Sequence, residues 1–445
     1  MIRRLFVLAL LVIGALLLAP LRVPTEGVIA PRSLFLFGIL LLAAETLGSL
    51  AHDLRAPRIV GYLAAGMMLG HSVLGIIPAH VLGDLGMMKR LAVGLIGLLA
   101  GMELRLPDLQ RRWRVVMSVV GAQLVIVPLL VLLTVVLGRS WFPFAAGLGT
   151  GDLILVGLLF GSLLAVNSPM VTLALLTETR AEGPVAKTVL GVVLVADVAV
   201  IFLLSFLLGI AQGNLGGDAP SLWAVLFGVV KDVGVSLVAG AVVGGLLTLY
   251  LRYVRQELVL FAVLIVFAAA GAAGALHFEL MLSLLVAGFL VENVAPVRAE
   301  PLLRALSDIA WPVFVVFFAL AGAELPVAAF LSLWPVVVGV AGIRALGIWL
   351  AARVGTRRGR AEPAVASWAW LGLVSQAGVA LGLATIVADR LPGVGVAIQL
   401  ITVGVIAVNE TVGPVLFRLA LARAQELGPG EVEVVEIAPS PLRPA

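Results

Sequence analysis

The sequence predicts an all-α polytopic membrane protein of about 13–14 transmembrane helices, folded as an inverted repeat with two crossed discontinuous helices. Three observations carry that expectation. Apolar residues make up 62% of the 445-residue chain and charged residues only 12%, about half the charged share of ordinary soluble proteins. The apolar residues fall in blocks of about 20, enough to cross a hydrocarbon core about 30 Å thick, with short charged loops between them. A short motif that ends one block near residue 100 returns at the end of another near residue 321.

Taken in order, the spans lie at 5–20, 33–51, 58–70, 86–103, 114–137, 153–177 and 186–210, then 221–250, 257–276, 279–294, 307–323, 331–352, 364–388 and 394–419. Sorting the 29 Lys and Arg residues by loop parity tests this count. Twenty fall on one side, among them Arg55, Arg58, Arg105, Arg111, Arg112 and Arg114, while six fall on the other. Lys231 and Arg344 lie inside spans, and Arg443 is in the tail. A miscounted span would scramble this partition. By the positive-inside rule the arginine-rich side is cytoplasmic, and so are both termini if the first block is retained. That block, MIRRLFVLALLVIGALLLAP, also has the basic start and apolar core of a signal peptide, and is read here as a retained helix. The polar tail after about 424 is too short to fold alone.

Composition also excludes several functions. Without cysteine there is no disulfide, thiolate metal site or cysteine nucleophile. His52, His71, His80 and His277 lie in or beside loops and share no metal-binding spacing. The pI near 9.9 does not point to nucleic acid, because the basic residues are dispersed among loops and form no patch. An intramembrane enzyme is disfavoured by the lack of a His-x-x-x-His motif, paired aspartates or a Ser-His pair at depth. No cofactor is expected.

The recurring motif is Ala-Gly-x-Glu-Leu, in LLAGMELRLPDL and again in FFALAGAEL, with Gly101 and Gly322 separated by 221 positions. LAAGMMLG around Gly66 matches LVAGFLVEN around Gly288 at a shift of 222. Two matches at nearly one interval indicate duplication. The two motif helices are an odd number of spans apart, so the repeat is inverted, an arrangement common in secondary transporters. Two spans at corresponding places look broken. In 153–177 Asn167, Ser168 and Pro169 fall at membrane depth, and in 364–388 Ser375, Gln376 and Gly378 do so. Proline removes a backbone hydrogen bond, and the freed carbonyls are expected to ligate a cation.

Asp197 is eleven residues into its span, about 16 Å from the cytoplasmic edge at 1.5 Å per residue. A lone acid at that depth is costly, and such residues face internal cavities and handle ions or protons. Arg344 is about 20 Å from the outer edge by the same arithmetic. It needs an anionic or carbonyl partner, for which Asp197, the broken-helix ends and Glu410 are all available. Thr172, Asn409 and Glu410 are second-rank site candidates, the last two lying about 212 positions after Asp197 and its neighbour. Glu45, Lys231 and Asp232 are weaker, and Glu103 and Glu324 are read as interfacial.

The runs PRIVGYLAAGMMLG (57–70), LLAGMEL, FFALAGAEL, AVNSPMVTLALLTETRAEGP (165–184), VLVADVAVI (193–201) and GIRALGIWLAARVG (342–355) resemble the cation:proton antiporter-2 family, over about 33–420. The resemblance implies the sodium/proton antiporter fold, with a core domain at 114–210 and 331–420 and a dimerisation domain at 33–103 and 257–325. Residues 1–32 would then be an extra helix or signal anchor, 221–250 a linker helix and 424–445 a cytoplasmic tail. It further implies an elevator-like exchange of Na+ or K+ for protons by a homodimer in the inner membrane. Asp197 takes the place of the ion-binding aspartate, joined by Asn167, Ser168, Ser375 and Gln376. Ser168 serves with Asp197 as a monovalent-cation ligand, and Arg344 is the basic residue of the core. Ala196 departs from relatives that carry an acid, asparagine or glutamine there, which favours one-for-one exchange. A sodium-coupled symporter of an organic anion and a passive channel are the rival readings.

Overall fold

The structure, a computed structural model, describes residues 30–428 apart from 146, 215–221, 255, 277, 296, 326, 377 and 392. The span expected at 5–20 lies outside the described residues. The thirteen others are present as helices. α1 (Pro31–Asp53) and α2 (Arg58–Leu69) are followed by a short α3 (Ala79–Asp84), then α4 (Gly86–Glu103) and α5 (Leu106–Leu137). The span expected at 153–177 is two half-helices, α6 (Thr150–Leu164) and α7 (Pro169–Thr179). α8 (Pro184–Asn214), α9 (Leu222–Tyr253), α10 (Leu258–Leu276), α11 (Leu280–Asn293), α12 (Glu300–Glu324) and α13 (Val327–Gly359) follow. The span expected at 364–388 is likewise split, into α14 (Pro363–Gly372) and α15 (Gly378–Arg390), before α16 (Val394–Arg423) closes the chain.

Several helices overrun the apolar blocks that predict them, because their ends carry charged turns that hydropathy counts as loop. α5 begins at Leu106 and not near 114, and the turns it adds hold Arg111 and Arg112. Among the described residues, nine stretches, counting α6 with α7 as one, are long and apolar enough to cross a membrane. α2 and α11 are shorter.

The helices pack in two sets. α1, α2, α4 and α9–α12 form one, and α5–α8 with α13–α16 form the other. Between them, α8 touches α9, α7 touches α2, α4 and α12, and α16 touches α2. The first set is held by a duplicated glycine contact. A Cβ on Gly66 of α2 would lie 2.2 Å from the Ala319 carbonyl oxygen of α12, and one on Gly322 would lie 2.4 Å from that of Leu63. The counterpart joins α4 to α11, where a Cβ on Gly101 would stand 2.0 Å from the Leu285 oxygen and one on Gly288 2.2 Å from that of Leu98. Each repeat glycine therefore seats on the backbone of the opposite repeat. Gly101→Ala and Gly322→Ala are expected to destabilise the detergent-solubilised protein by about 1–3 kcal/mol each. Gly245→Ala, with nothing within 4 Å of its added methyl, is expected to melt like the parent; equal melting of all three would reject this packing.

Candidate functional site

The first break forms because Pro169 cannot donate a backbone hydrogen bond and Ser168 starts a new helix. The Ser168 Oγ accepts from the Val171 N–H at 3.2 Å, a side-chain cap at membrane depth. Four residues, Ala165–Ser168, separate α6 from α7, and residues 373–377 separate α14 from α15. Asn167, Ser168, Ser375 and Gln376 are all buried.

The two breaks meet at Arg344, which is fully buried in the middle of α13. Its Nε donates to the Leu164 oxygen at 2.7 Å, Nη2 to Val166 at 2.8 Å and Nη1 to Val374 at 2.5 Å. Of the partners open to it from sequence, the broken-helix ends are the ones it binds. A guanidinium suits the place, since it offers five donors in a rigid fork and lies at the carbonyl ends of α6 and α14, where the helix dipoles are negative.

Gln123 of α5 completes the first break. Its Nε2 donates to the Ala165 oxygen at 2.7 Å and to Asn167 Oδ1 at 3.1 Å. Gln376 Nε2 reaches the Leu163 oxygen at 3.4 Å, and Asn409 Nδ2 of α16 donates to Gln376 Oε1 at 3.1 Å. Freed carbonyls were expected to ligate a cation, yet those of residues 163–166 and 374 already accept from protein donors. A buried carbonyl left without a partner costs about 1–3 kcal/mol, so the fold fills it.

Asp197 stands thirteen residues into α8, about 20 Å from the helix start. The residue is half-buried, and its carboxylate faces the backbone N–H of Asn167. Oδ1 is buried without a protein hydrogen-bond partner, as are Gln123 Oε1, Asn167 Nδ2, Thr172 Oγ1 and Ser375 Oγ. Unmet hydrogen-bonding capacity therefore gathers on the segments around the two breaks, where oxygen donors suited to a hard monovalent cation are present.

A profile of the family described as "Sodium/hydrogen exchanger, transmembrane" matches residues 34–422. The chain belongs to this family. Over 138 residues it is 30% identical to the Na(+)/H(+) antiporter NhaP of Pseudomonas aeruginosa, a stretch covering 31% of this chain and 32% of that relative. The chain thus matches about a third of the length of that curated relative. Two structures of the sodium proton antiporter MjNhaP1 from Methanocaldococcus jannaschii share the fold. One, at pH 8, superposes with a TM-score of 0.62 at 18% identity, covering 88% of this chain and 96% of the other. A second, from electron microscopy, gives 0.64 at 17%, covering 92% and 99%.

Within this sodium/hydrogen exchanger fold, two residues of the site escape sequence reasoning. Gln123 is one; it lies 221 positions before Arg344, the same interval as Gly101 to Gly322, and that spacing is the signal that finds it. Glu279 is the other. It caps α11, its Oε1 accepting from the Met281 N–H at 3.1 Å and its Oε2 from that of Leu282, while its own N–H donates to Ser236 Oγ at 2.9 Å. α11 has only 14 residues, a rise of about 21 Å, so Glu279 comes to nearly the depth of Asp197. Glu279 belongs to the other helix set from Asp197.

The remaining exchanger residues singled out from sequence sit elsewhere. Glu410 is buried one turn from Gly413, where an added Cβ would stand 2.3 Å from Ser375 Oγ. Glu324 pairs with Lys89, and both Glu103 and Glu324 end their helices. Glu45 pairs with Arg58 at 3.5 Å and accepts from Trp311 Nε1 at 3.2 Å. Lys231 is exposed.

Proposed function

We propose that the chain exchanges a monovalent cation for protons, with Asp197 carrying the two in turn. The observation that supports this most is the half-buried Asp197, whose Oδ1 is unpartnered beside two helix breaks where Arg344, Gln123 and Gln376 already occupy the carbonyls of residues 163–166 and 374. Such a group has capacity for one positive guest. A proton or a partly dehydrated cation neutralises it, and the loaded site crosses, while the bare anion is held back by the cost of desolvation. Sodium is the proposed cation, since NhaP and MjNhaP1 are both described as sodium/proton antiporters. Ala196, buried and unable to titrate, supports one-for-one exchange.

The moving part in this reading is the set α5–α8 with α13–α16, travelling against the other set as an elevator. The other set pairs with a second copy, and the arginine-rich side faces the cytoplasm. Two hydrogen bonds between the sets lie on that side, from the Arg58 N–H to Glu178 Oε1 at 2.9 Å and from Arg418 Nη1 to the Arg55 oxygen at 2.7 Å. They support a state closed to the cytoplasm.

The test is dissipation of a pH gradient in proteoliposomes on addition of sodium, potassium or lithium, with and without the membrane potential clamped. Sodium is expected to collapse the gradient equally in both conditions. A gradient that survives all three cations would overturn the reading.

A further inference from the structure

The chain does not leave the molecule after α16. Gln425 turns it through a left-handed conformation, φ 60°, and the Glu426 N–H donates to the Leu421 oxygen at 2.9 Å. The next residues run back along the turn between α7 and α8. There the Glu182 N–H donates to the Glu426 oxygen at 3.1 Å and the Gly428 N–H to the Thr179 oxygen at 2.9 Å. The Glu426 side chain is 6% exposed and completes the clasp. Oε1 accepts from the Val185 N–H at 2.7 Å and Oε2 from the Ala186 N–H at 2.8 Å.

These two N–H groups belong to the second and third residues of α8, donors that no carbonyl of their own helix can serve. Pro184, the first residue, has none to offer. One carboxylate from 240 residues further along the chain therefore caps the helix that carries Asp197. It also meets the positive end of that helix dipole. Gly183 makes the fit possible, because a Cβ there would stand 2.2 Å from Glu426 Cδ.

We propose that Glu426 is a positioning residue for Asp197, clasping the turn from which both the first break and the ion-binding carboxylate rise. α7 leads from this turn to Ser168 and Asn167, and α8 leads to Asp197. The clasp ties both helices at their common end, so it sets the height of the Asp197 carboxylate against the Asn167 N–H that it faces. A slip of one residue moves that carboxylate by about 1.5 Å, enough to break the contact. The assignment rests on Asp197 as the transport carboxylate, and the tail residues act on it through the helix, without touching the ion.

The experiment uses the full chain as Glu426→Ala, Glu426→Gln and Gly183→Ala, the last leaving the carboxylate intact but excluding it from its seat. Amide exchange at Val185 and Ala186 is expected to quicken about tenfold in Glu426→Ala and Gly183→Ala, the size of a lost helix cap. In proteoliposomes the sodium concentration for half-maximal exchange is expected to rise about fivefold in both, with the maximal rate changed less than twofold, and Glu426→Gln, which keeps one acceptor oxygen, is expected to fall between. Unchanged amide exchange in both variants would overturn the clasp. Quickened amide exchange with an unaltered sodium requirement would overturn its positioning role. If the parent protein shows no exchange at all, the transport reading fails, while the amide measurement still decides whether the clasp exists.

Discussion

Asp197→Asn is expected to abolish cation-dependent proton movement in proteoliposomes while the protein still folds. Asparagine keeps the shape and one oxygen for the Asn167 N–H, but it neither binds a proton at working pH nor supplies a negative charge for a cation. An ionised acid at this depth costs about 2.5–3.5 kcal/mol on insertion scales, so the neutral variant is expected to melt at or above the parent temperature. The pairing of lost transport with kept stability is the informative result. Exchange within about tenfold of the parent rate, a change in barrier of under about 1.4 kcal/mol, would reject Asp197 as the carrier.

The second large effect is expected at Arg344, and it falls on stability. Arg344→Met strands three buried carbonyls from two different segments, Leu164, Val166 and Val374. Each buried carbonyl left without a donor costs about 1–3 kcal/mol, so three together are a large share of the stability of an ordinary domain. Arg344→Lys is expected to recover only part of this, because a compact ammonium cannot span carbonyls that a planar fork reaches together. Thermal melting in detergent reads the difference. A methionine variant that melts like the parent but no longer transports would mean that Arg344 acts on the ion through its charge alone and does not hold the breaks together.

Much of this architecture is legible in the sequence because the signals are redundant. Span count is written both in hydropathy and in the parity of Lys and Arg, and the breaks are written in Asn167-Ser168-Pro169 and in Ser375-Gln376. Which groups join at the crossing is less legible. Arg344 stands out as a buried charge, yet its partners are backbone carbonyls, and a carbonyl carries no residue identity to read. Gln123 is a single amide in an apolar helix and reads as packing until the repeat interval is applied to it. Glu279 is the first residue of an apolar block and draws no notice there, since hydropathy does not report the depth at which α11 begins. The docking of residues 424–428 is the plainest omission. Their composition is that of a loose polar end, but Glu426 is held by amide protons far away in sequence, and nothing local encodes that docking.

The reciprocal seating of glycines on opposite backbones has a consequence for how such a chain could have arisen. Neither half presents a finished surface to itself, for each leaves a groove cut to the other's helix. A half-length ancestor would have had to insert into the bilayer in both orientations and assemble with its own upside-down twin. Carrying both halves on a single strand makes that encounter one between neighbours.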